Sequence, residues 1–249
     1  MALIDNLTAY WKLDEASGSR SDSAGGGYTA TDSGSTGSTT GKISNAASFS
    51  ATTYLAVADT AALRTGDVDF SMSAWVKLTD KSASYAVFSK YDSTVGDARE
   101  FLLIYTTATD RFRFIVSSDG LGTGNVVVDA DNLGSPSAGT WYHIVAWHDA
   151  TANTINIVVD DGTVDSLAHT LGVYSGTFNL NIGSHTNTAA QMSGAIDELG
   201  YWHKVLSAAE ITQLYNGGSG LAYPFTSSTT FVQTERGIRG LNRGIYTGS

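Results

Sequence analysis

The sequence predicts an all-β fold, in which two antiparallel sheets form a sandwich and one short helix lies near the C-terminal end. Three observations lead to this prediction. Strand-like segments of alternating apolar and polar residues recur along the chain, turn-forming residues separate them, and a single segment has the apolar spacing of a surface helix. The chain has 249 residues, 42% of them hydrophobic, so it is long enough to bury the core of such a sandwich.

The strand pattern is clearest in residues 70–77 and 155–159, where every second residue is apolar. The Asp161-Gly162 pair that follows the second of these is a strong hairpin-turn signal. Residues 17–41 are rich in Ser, Gly and Thr and are expected to form a long surface loop between strands. The predicted strands are 10–13, 47–49, 54–57, 70–77, 86–89, 101–105, 112–116, 126–128, 142–147, 155–159, 178–182 and 195–201.

The helix is predicted over residues 208–215. Ser207 is the expected N-cap and Glu210 is the third helical residue, and this spacing makes a capping box in which each side chain bonds an unpaired amide of the other residue. Leu206 and Ile211 are placed to form a hydrophobic staple across the start of the helix. The glycines that follow residue 216 end the helix.

Composition excludes several classes of function. The net charge of −10 is opposite to what binding to nucleic acid or to an anionic membrane requires, so neither partner is expected. The chain has no cysteine, which rules out thiolate catalysis and cysteine-based zinc sites. Its start lacks the basic and apolar regions of a signal peptide, and no apolar stretch is long enough to insert into a membrane.

The chain divides into a sandwich domain at residues 1–224 and a basic, Gly-rich arm at residues 225–249. Arg236, Arg239 and Arg243 each precede a glycine in the arm, and with a single glutamate they give it a net charge of +2. A basic arm on an acidic body is typical of an attachment segment, so these three arginines are the candidate partner-binding residues. The alternative is a frayed terminus without a partner.

Six segments together carry a family resemblance: residues 7–18, 22–25, 41–49, 70–77, 139–146 and 194–215. On these segments, and over residues 3–224 as a whole, the chain resembles the laminin-G-like domains of the concanavalin A-like lectin/glucanase superfamily. The resemblance implies a β-jelly roll, often with a structural calcium ion, and sugar or protein ligands at its loops. The chain also resembles laminin-G-like proteins of bacteriophage particles in its start and its attached arm.

The resemblance implies that Asp22 and Asp197 hold a structural Ca²⁺, together with backbone carbonyls near Gly25 and Gly27. Ca²⁺ takes six to eight oxygen ligands, which loops rich in Asp and Gly provide. Strand alternation places Asp197 on the same face as Leu199, toward the core, where a carboxylate needs a compensating partner such as a cation. The alternative is that Asp197 accepts hydrogen bonds and Asp22 caps a turn.

No catalytic residues are assigned. Glucanases of this superfamily carry alternate acids on one strand, as Glu-x-Asp-x-Glu, and this pattern is absent here. Alternation places the side chain of Glu198 on the opposite face from that of Asp197, which prevents the two acids from sharing a cleft. His143 lies within a strand pattern and is expected to make a local hydrogen bond with no catalytic role.

Sugar-binding sites combine aromatic faces with Asn, Asp and Gly in loops, because sugar rings present both C–H patches and hydroxyl groups. His185, Asn187 and Gln191 are the first candidates, since they precede the strand that carries Asp197. The candidate loops are residues 91–97, 119–125, 174–176 and 184–191.

These observations predict a non-enzymatic, calcium-stabilised adhesion or display module of a larger surface assembly, with a phage virion or another extracellular surface as its location. A glycan or a surface protein is the expected loop ligand, and other subunits of the particle are the expected partners of the arm. A homo-oligomer is compatible with this function. The alternative is a free lectin-like carbohydrate-binding module, and a glycoside hydrolase ranks third.

Overall fold

The computed structural model describes residues 2–50, 52–185 and 190–225. In this part of the chain the strands build two antiparallel sheets, as predicted. In chain order the strands are β1 (Leu7–Trp11), β2 (Ala30–Ser33), β3 (Gly37–Thr40), β4 (Asn45–Phe49), β5 (Tyr54–Val57), β6 (Phe70–Leu78), β7 (Tyr85–Tyr91), β8 (Arg99–Thr106), β9 (Arg111–Ser117), β10 (Asn125–Asp129), β11 (Trp141–Asp149), β12 (Thr154–Val159), β13 (Asp165–Ala168), β14 (Leu180–Ile182) and β15 (Gly194–Trp202).

The first sheet has the strand order β13-β12-β11-β6-β15-β4-β3, with β1 paired to β15. The second sheet has the order β10-β9-β8-β7-β14-β5-β2. Their facing sides meet in one large core, to which β6 contributes Met72, Ala74 and Val76. The residues between them, such as Trp75, lie on the outer face of the first sheet. The predicted period-two alternation of β6 is therefore confirmed.

The helix α1 (Ala208–Tyr215) forms at the predicted residues, with Ser207 as its N-cap. The capping box is present: the Ser207 amide donates to Glu210 Oε2 over 2.9 Å, and the Glu210 amide donates to Ser207 Oγ over 3.4 Å. The helix ends at Asn216, which adopts the left-handed conformation (φ 49°) ahead of the two glycines. No helix in the described ranges has both the length and the apolar character needed to span a membrane.

An apolar cluster on the outer face of the first sheet, called here the outer cluster, lies beneath α1. The helix contributes Ile211 and Leu214, and Leu206 joins them, as the predicted staple requires. The remaining buried members of the outer cluster are Leu3, Tyr10, Val145, Trp147, Val158 and Trp202.

Three strands were not predicted: β2, β3 and β13. Each is the outermost strand of its sheet, so it has a neighbour on one side only and needs little apolar alternation. The prediction that residues 17–41 form a loop is therefore wrong in part, because β2 and β3 lie within them. The predicted turn after β12 is confirmed one residue earlier than expected, with positive φ at Asp160 and Asp161.

A β-bulge in β15 changes the direction in which the side chain of Asp197 points. The pairing of β15 with β6 shifts register between Asp197 and Gly200, and Glu198 has a φ of 49°. Ile196 and Leu199 both lie in the main core, so the extra residue reverses the alternation between them. The prediction that Asp197 shares the face of Leu199 is therefore wrong: Asp197 lies opposite Trp75 and points to the outer face.

Candidate ligand-binding site

A groove of about 220 Å³ opens on the outer face of the second sheet, where β7 ends and β14 begins. One lining residue ends β7 and another follows it, three come from the segment before β14, and one belongs to β14 itself. The groove is lined by Tyr91, Asp92, Thr177, Phe178, Asn179 and Asn181.

Asn181 points into the groove because of the alternation of β14. Its neighbours Leu180 and Ile182 lie in the main core, so the amide between them faces outward. Asn181 is 6% exposed, yet its Oδ1 atom has no hydrogen-bond partner. Buried polar atoms in proteins are nearly always paired, so this oxygen is available to a donor from a ligand.

Tyr91 forms an aromatic wall of the groove and is held by three neighbours. Its hydroxyl accepts a hydrogen bond of 2.8 Å from Asn125 Nδ2. The guanidinium carbon of Arg99 lies 5.5 Å from the ring centroid, which is a cation–π contact. The ring of His185 meets Tyr91 edge-on, with 6.0 Å between the centroids.

The four loops that the sequence analysis selected converge here. Asn125 and His185 bring loops 119–125 and 184–191 to Tyr91, which begins loop 91–97. Loop 174–176 joins them because the Tyr174 amide donates to Ser117 O over 2.7 Å, at the end of the neighbouring strand β9. Loops far apart in sequence therefore share one end of the second sheet.

A buried ionic network underlies the groove. Lys90 and Glu100 are both fully buried, and Lys90 Nζ lies 3.0 Å from Glu100 Oε1 and 3.0 Å from Asp59 Oδ1. Burial raises the pKa of Glu100 despite these partners. The network also fixes the groove rim, because Gly176 N donates to Glu100 Oε1 over 2.8 Å and Asp59 N donates to Asn179 Oδ1 over 3.2 Å.

The predicted ligand residues have different outcomes. His185 lies beside the groove through its contact with Tyr91. Asn187 falls outside the described residues. Gln191 is half-buried in the segment that leads to β15, and it does not line the groove. Phe178 and Asn181 were not predicted as ligand residues, because both lie in a predicted strand. A polar residue between two core residues is the signal that would have found Asn181.

A second group of polar residues lies on the outer face of the first sheet. Asp197 is fully buried, and its Oδ2 atom accepts hydrogen bonds from Lys42 N (2.8 Å) and Ile43 N (2.9 Å). Its Oδ1 atom has no partner. Burial raises the pKa of Asp197 to about 8, because the charged form loses its hydration.

Glu198 lies on the same outer side as Asp197, contrary to the prediction that the two point apart. Its Oε2 atom accepts a 2.5 Å hydrogen bond from the hydroxyl of Tyr10, a member of the outer cluster. Burial raises the pKa of Glu198 to about 7. Both acids are buried, so the bulge that brings them to one side does not present them to a substrate.

Asp22 caps the turn that begins its loop. Its Oδ1 atom accepts hydrogen bonds from Tyr10 N (3.0 Å) and Ala24 N (2.9 Å). Gly25 and Gly27 follow in the same exposed loop. No group of three or more His, Asp or Glu side chains within the described ranges is arranged to hold a metal ion. The unpaired Oδ1 of Asp197 is the observation that fits a cation, and the calcium site stays a prediction.

The predicted partner residues Arg236, Arg239 and Arg243 fall outside the described residues. The last described residue, Phe225, packs on the sandwich: its ring centroid lies 5.3 Å from that of Tyr10 and 6.4 Å from that of Trp202. The division into residues 1–224 and an arm stays a prediction. His143, by contrast, makes the expected local hydrogen bond, with Nε2 2.8 Å from Ser73 Oγ.

Solved structures with low sequence identity share this architecture. The binding domain of Paraclostridial mosquitocidal protein 1 has a TM-score of 0.67 and 12% identity over 87% of this chain and 53% of its own. The ligand-binding domain of botulinum neurotoxin serotype D, in complex with N-acetylneuraminic acid, has a TM-score of 0.61 and 14% identity over 86% of this chain and 51% of its own. The chain thus spans about half the length of these two toxin domains.

A third solved structure matches nearly end to end. Domain 4 of AbnA, a GH43 extracellular arabinanase from Geobacillus stearothermophilus, in complex with arabinotriose, has a TM-score of 0.58 and 20% identity. The match covers 83% of this chain and 97% of that domain. At these identities the similarity shows the fold, a lectin-like sandwich of the jelly-roll type.

No curated protein matches the sequence. A laminin G family model, described as the concanavalin A-like lectin/glucanases superfamily, matches residues 49–212. This match agrees with the strand order, the capped helix and the resemblance carried by the six segments. The chain therefore belongs to the laminin-G-like family of the concanavalin A-like lectin/glucanases superfamily.

Proposed function

We propose that this chain is a non-catalytic carbohydrate-binding module and that its glycan binds in the groove between β7 and β14. The observation that carries the proposal is the unpaired, buried Oδ1 of Asn181 beside the rings of Tyr91 and Phe178. Aromatic rings pack against the C–H faces of sugars, and an unpaired amide oxygen accepts a hydroxyl hydrogen bond. Two structures of the same fold contain arabinotriose and N-acetylneuraminic acid.

The size of the groove favours a short ligand. Its volume of about 220 Å³ lies below the range typical of pockets that enclose drug-sized molecules. We therefore expect recognition of one end of a glycan rather than of a long polymer.

Two hydrogen bonds hold the rim of the groove in place before a ligand binds. Gly176 N donates to Glu100 Oε1, and Asp59 N donates to Asn179 Oδ1. Little conformational entropy is therefore lost when a ligand binds.

The test is a glycan array with three proteins: the wild type, Phe178→Ala and Trp141→Ala. Trp141 is the matched control because it is also a half-buried aromatic residue, but it lies on the first sheet. The wild type is expected to bind a defined set of glycans, and Phe178→Ala is expected to lose at least about tenfold in affinity. The proposal is wrong if the folded wild type binds no glycan, or if the two variants lose affinity equally.

For the biological setting we propose an adhesion or display module within a larger surface assembly, such as a phage virion, with the arm as its attachment. The position of Phe225 supports this: the described chain ends on the outer face of the first sheet, away from the groove. Removal of residues 226–249 is expected to abolish assembly and to leave glycan affinity intact. A truncated protein that still joins its particle would instead favour a free lectin-like module.

We also propose that Asp197 holds a structural Ca²⁺ through its unpaired Oδ1. A cation beside this buried carboxylate would compensate its lost hydration. EDTA is expected to lower the melting temperature of the wild type, and Ca²⁺ is expected to restore it. Asp197→Asn is expected to melt at the same temperature with EDTA and with Ca²⁺. The same comparison with Asp22→Asn tests the other predicted side-chain ligand. A wild type that melts identically with EDTA and with Ca²⁺ contradicts the proposal.

A further inference from the structure

We infer that the groove selects neutral glycans against glycans whose terminal sugar carries a carboxylate or a sulfate, and that Asp92 sets this selectivity. The inference rests on the proposed glycan-binding function and names the class of sugar that the same site would take.

The charges around the groove favour a neutral sugar over an anionic one. Among the described residues that line the groove, Asp92 is the only charged one, and the others are aromatic, hydroxyl or amide side chains. An anionic sugar in this groove would therefore meet a like charge and no lining cation.

The nearby cations are already engaged. Lys90 is fully buried and lies between Asp59 and Glu100, so it cannot reach a ligand. Arg99 stacks on Tyr91 and donates a hydrogen bond of 3.1 Å to Ser93 O, and it is not a lining residue. Arg64, the third cation nearby, pairs with Asp59 through a hydrogen bond of 3.1 Å from Nε to Oδ2. None of the three cations is among the described residues that line the groove.

The hydrogen-bonding atoms at the groove also favour a neutral sugar. Asn181 Oδ1 is an acceptor without a donor. Asp92 accepts two hydrogen bonds, from Thr94 N at 2.8 Å and Thr94 Oγ1 at 2.6 Å, and both go to its Oδ1 atom. Its Oδ2 atom therefore keeps its acceptor capacity. Sugar hydroxyls can donate to both residues, whereas an ionised carboxylate or sulfate is an acceptor only.

The experiment measures the affinity for matched glycan pairs that differ only in a terminal sialic acid, uronic acid or sulfate group. Wild type, Asp92→Asn and Asp97→Asn are compared at low and moderate salt. Asp92→Asn keeps an oxygen for the Thr94 turn and removes the charge. Asp97→Asn is the matched control, since it removes a charge from an exposed residue of the same loop whose positive φ asparagine tolerates.

The wild type is expected to bind the neutral member of a pair at least about tenfold more tightly, and the ratio is expected to shrink as salt rises. Asp92→Asn is expected to reduce the ratio at least about threefold, while Asp97→Asn leaves it unchanged. A wild type that prefers the acidic member, or an Asp92→Asn ratio equal to that of the wild type, overturns the inference and leaves the proposed function standing. A folded wild type that binds neither member overturns both.

Discussion

The outer faces of the two sheets differ in what covers them. The first sheet carries α1, the N-terminal residues and the segment that ends at Phe225, which together bury the outer cluster. On the second sheet the described residues form only a small apolar cluster around Tyr91 and Leu102, and the groove opens beside it. One architecture therefore supplies a second core on the outer side of the first sheet and a groove on the outer side of the second. The proposed glycan site and the outer cluster thus lie on different faces.

Buried charge also differs between the two faces. Beneath the groove, Lys90 and Glu100 pair directly in full burial. On the first sheet, Asp197 and Glu198 lie side by side with no cation partner among the described residues. The first arrangement holds the groove rim in place through hydrogen bonds to Gly176 and Asn179. The second leaves two neighbouring carboxyl groups whose pKa values burial raises.

The largest expected effect is on the covered face. Trp202 is fully buried, and its indole N–H donates a hydrogen bond of 2.8 Å to Leu3 O. Trp202→Ala is expected to reduce the free energy of unfolding by about 4 kcal/mol. Phe178→Ala, on the open face, is expected to cost less than about 1 kcal/mol. Denaturant unfolding measures both, and equal losses would contradict the division between the faces.

The next effect concerns the ionic network beneath the groove. Lys90→Met is expected to destabilise the fold by about 3 kcal/mol, because Glu100 remains fully buried without its cation, whereas Asp59 keeps Arg64 as a partner. Lys204→Met is the comparison on the covered face, where Lys204 pairs with Glu210. Chemical denaturation of both variants, with glycan affinity as a second measurement, shows which pair supports the groove. Glycan affinity that falls only in Lys204→Met would contradict the assignment.

A smaller effect concerns the pH dependence of the covered face. The pKa of Asp197 is raised from its unfolded value of 3.8 to about 8, so the folded state retains a proton that the unfolded state releases. The protonated carboxyl of Asp197 therefore contributes to the free energy of unfolding at low pH, and this contribution is lost as the pH rises from about 4 to 8. In EDTA at pH 8, Asp197→Asn is expected to be more stable than the wild type by about 2 kcal/mol.

The control for that measurement is the same pair of proteins at pH 5, where the wild-type carboxyl is protonated and the difference is expected to be small. Melting curves across this range give the comparison directly. A wild type whose stability rises between pH 5 and 8 relative to Asp197→Asn would show that the carboxylate is compensated in the folded state.

The smallest expected effect is on the aromatic wall of the groove. Tyr91→Phe keeps the ring but removes the acceptor of the Asn125 hydrogen bond, which is expected to cost about 1 kcal/mol of stability. Its loss of glycan affinity is expected to be smaller than that of Phe178→Ala, because the aromatic surface remains. A larger loss in Tyr91→Phe would place the hydroxyl itself in contact with the sugar.

Much of the fold followed from local sequence rules. The capping box of Ser207 and Glu210 and the alternation of β6 depend on neighbours within a few residues, and both were predicted. The edge strands β2, β3 and β13 were missed because their residues are mostly small or polar and show little apolar alternation. The edge strand β10 has three consecutive valines and was predicted. The bulge at Glu198 was missed because this residue adopts a positive φ although it is neither glycine nor asparagine, the residues that usually mark such a conformation.

The candidate site was predictable only in part, because it depends on which parts of the chain the fold brings together. Its loops were selected by composition, and His185 was found in this way. Asn181 became a candidate only when the strand was known to place Leu180 and Ile182 in the core. The convergence of the loops depends on which strands are neighbours, and the sequence of any single loop does not contain that information.

The position of Phe225 has a consequence for how many copies would act together. Because this residue packs on the face opposite the groove, the chain that continues from it starts on the far side of the molecule from the ligand. Copies fixed side by side through that far side would all direct their grooves outward. A weak affinity for one glycan would then become strong retention on a glycan-covered surface, since linked sites raise avidity by about 100-fold or more without any new contact.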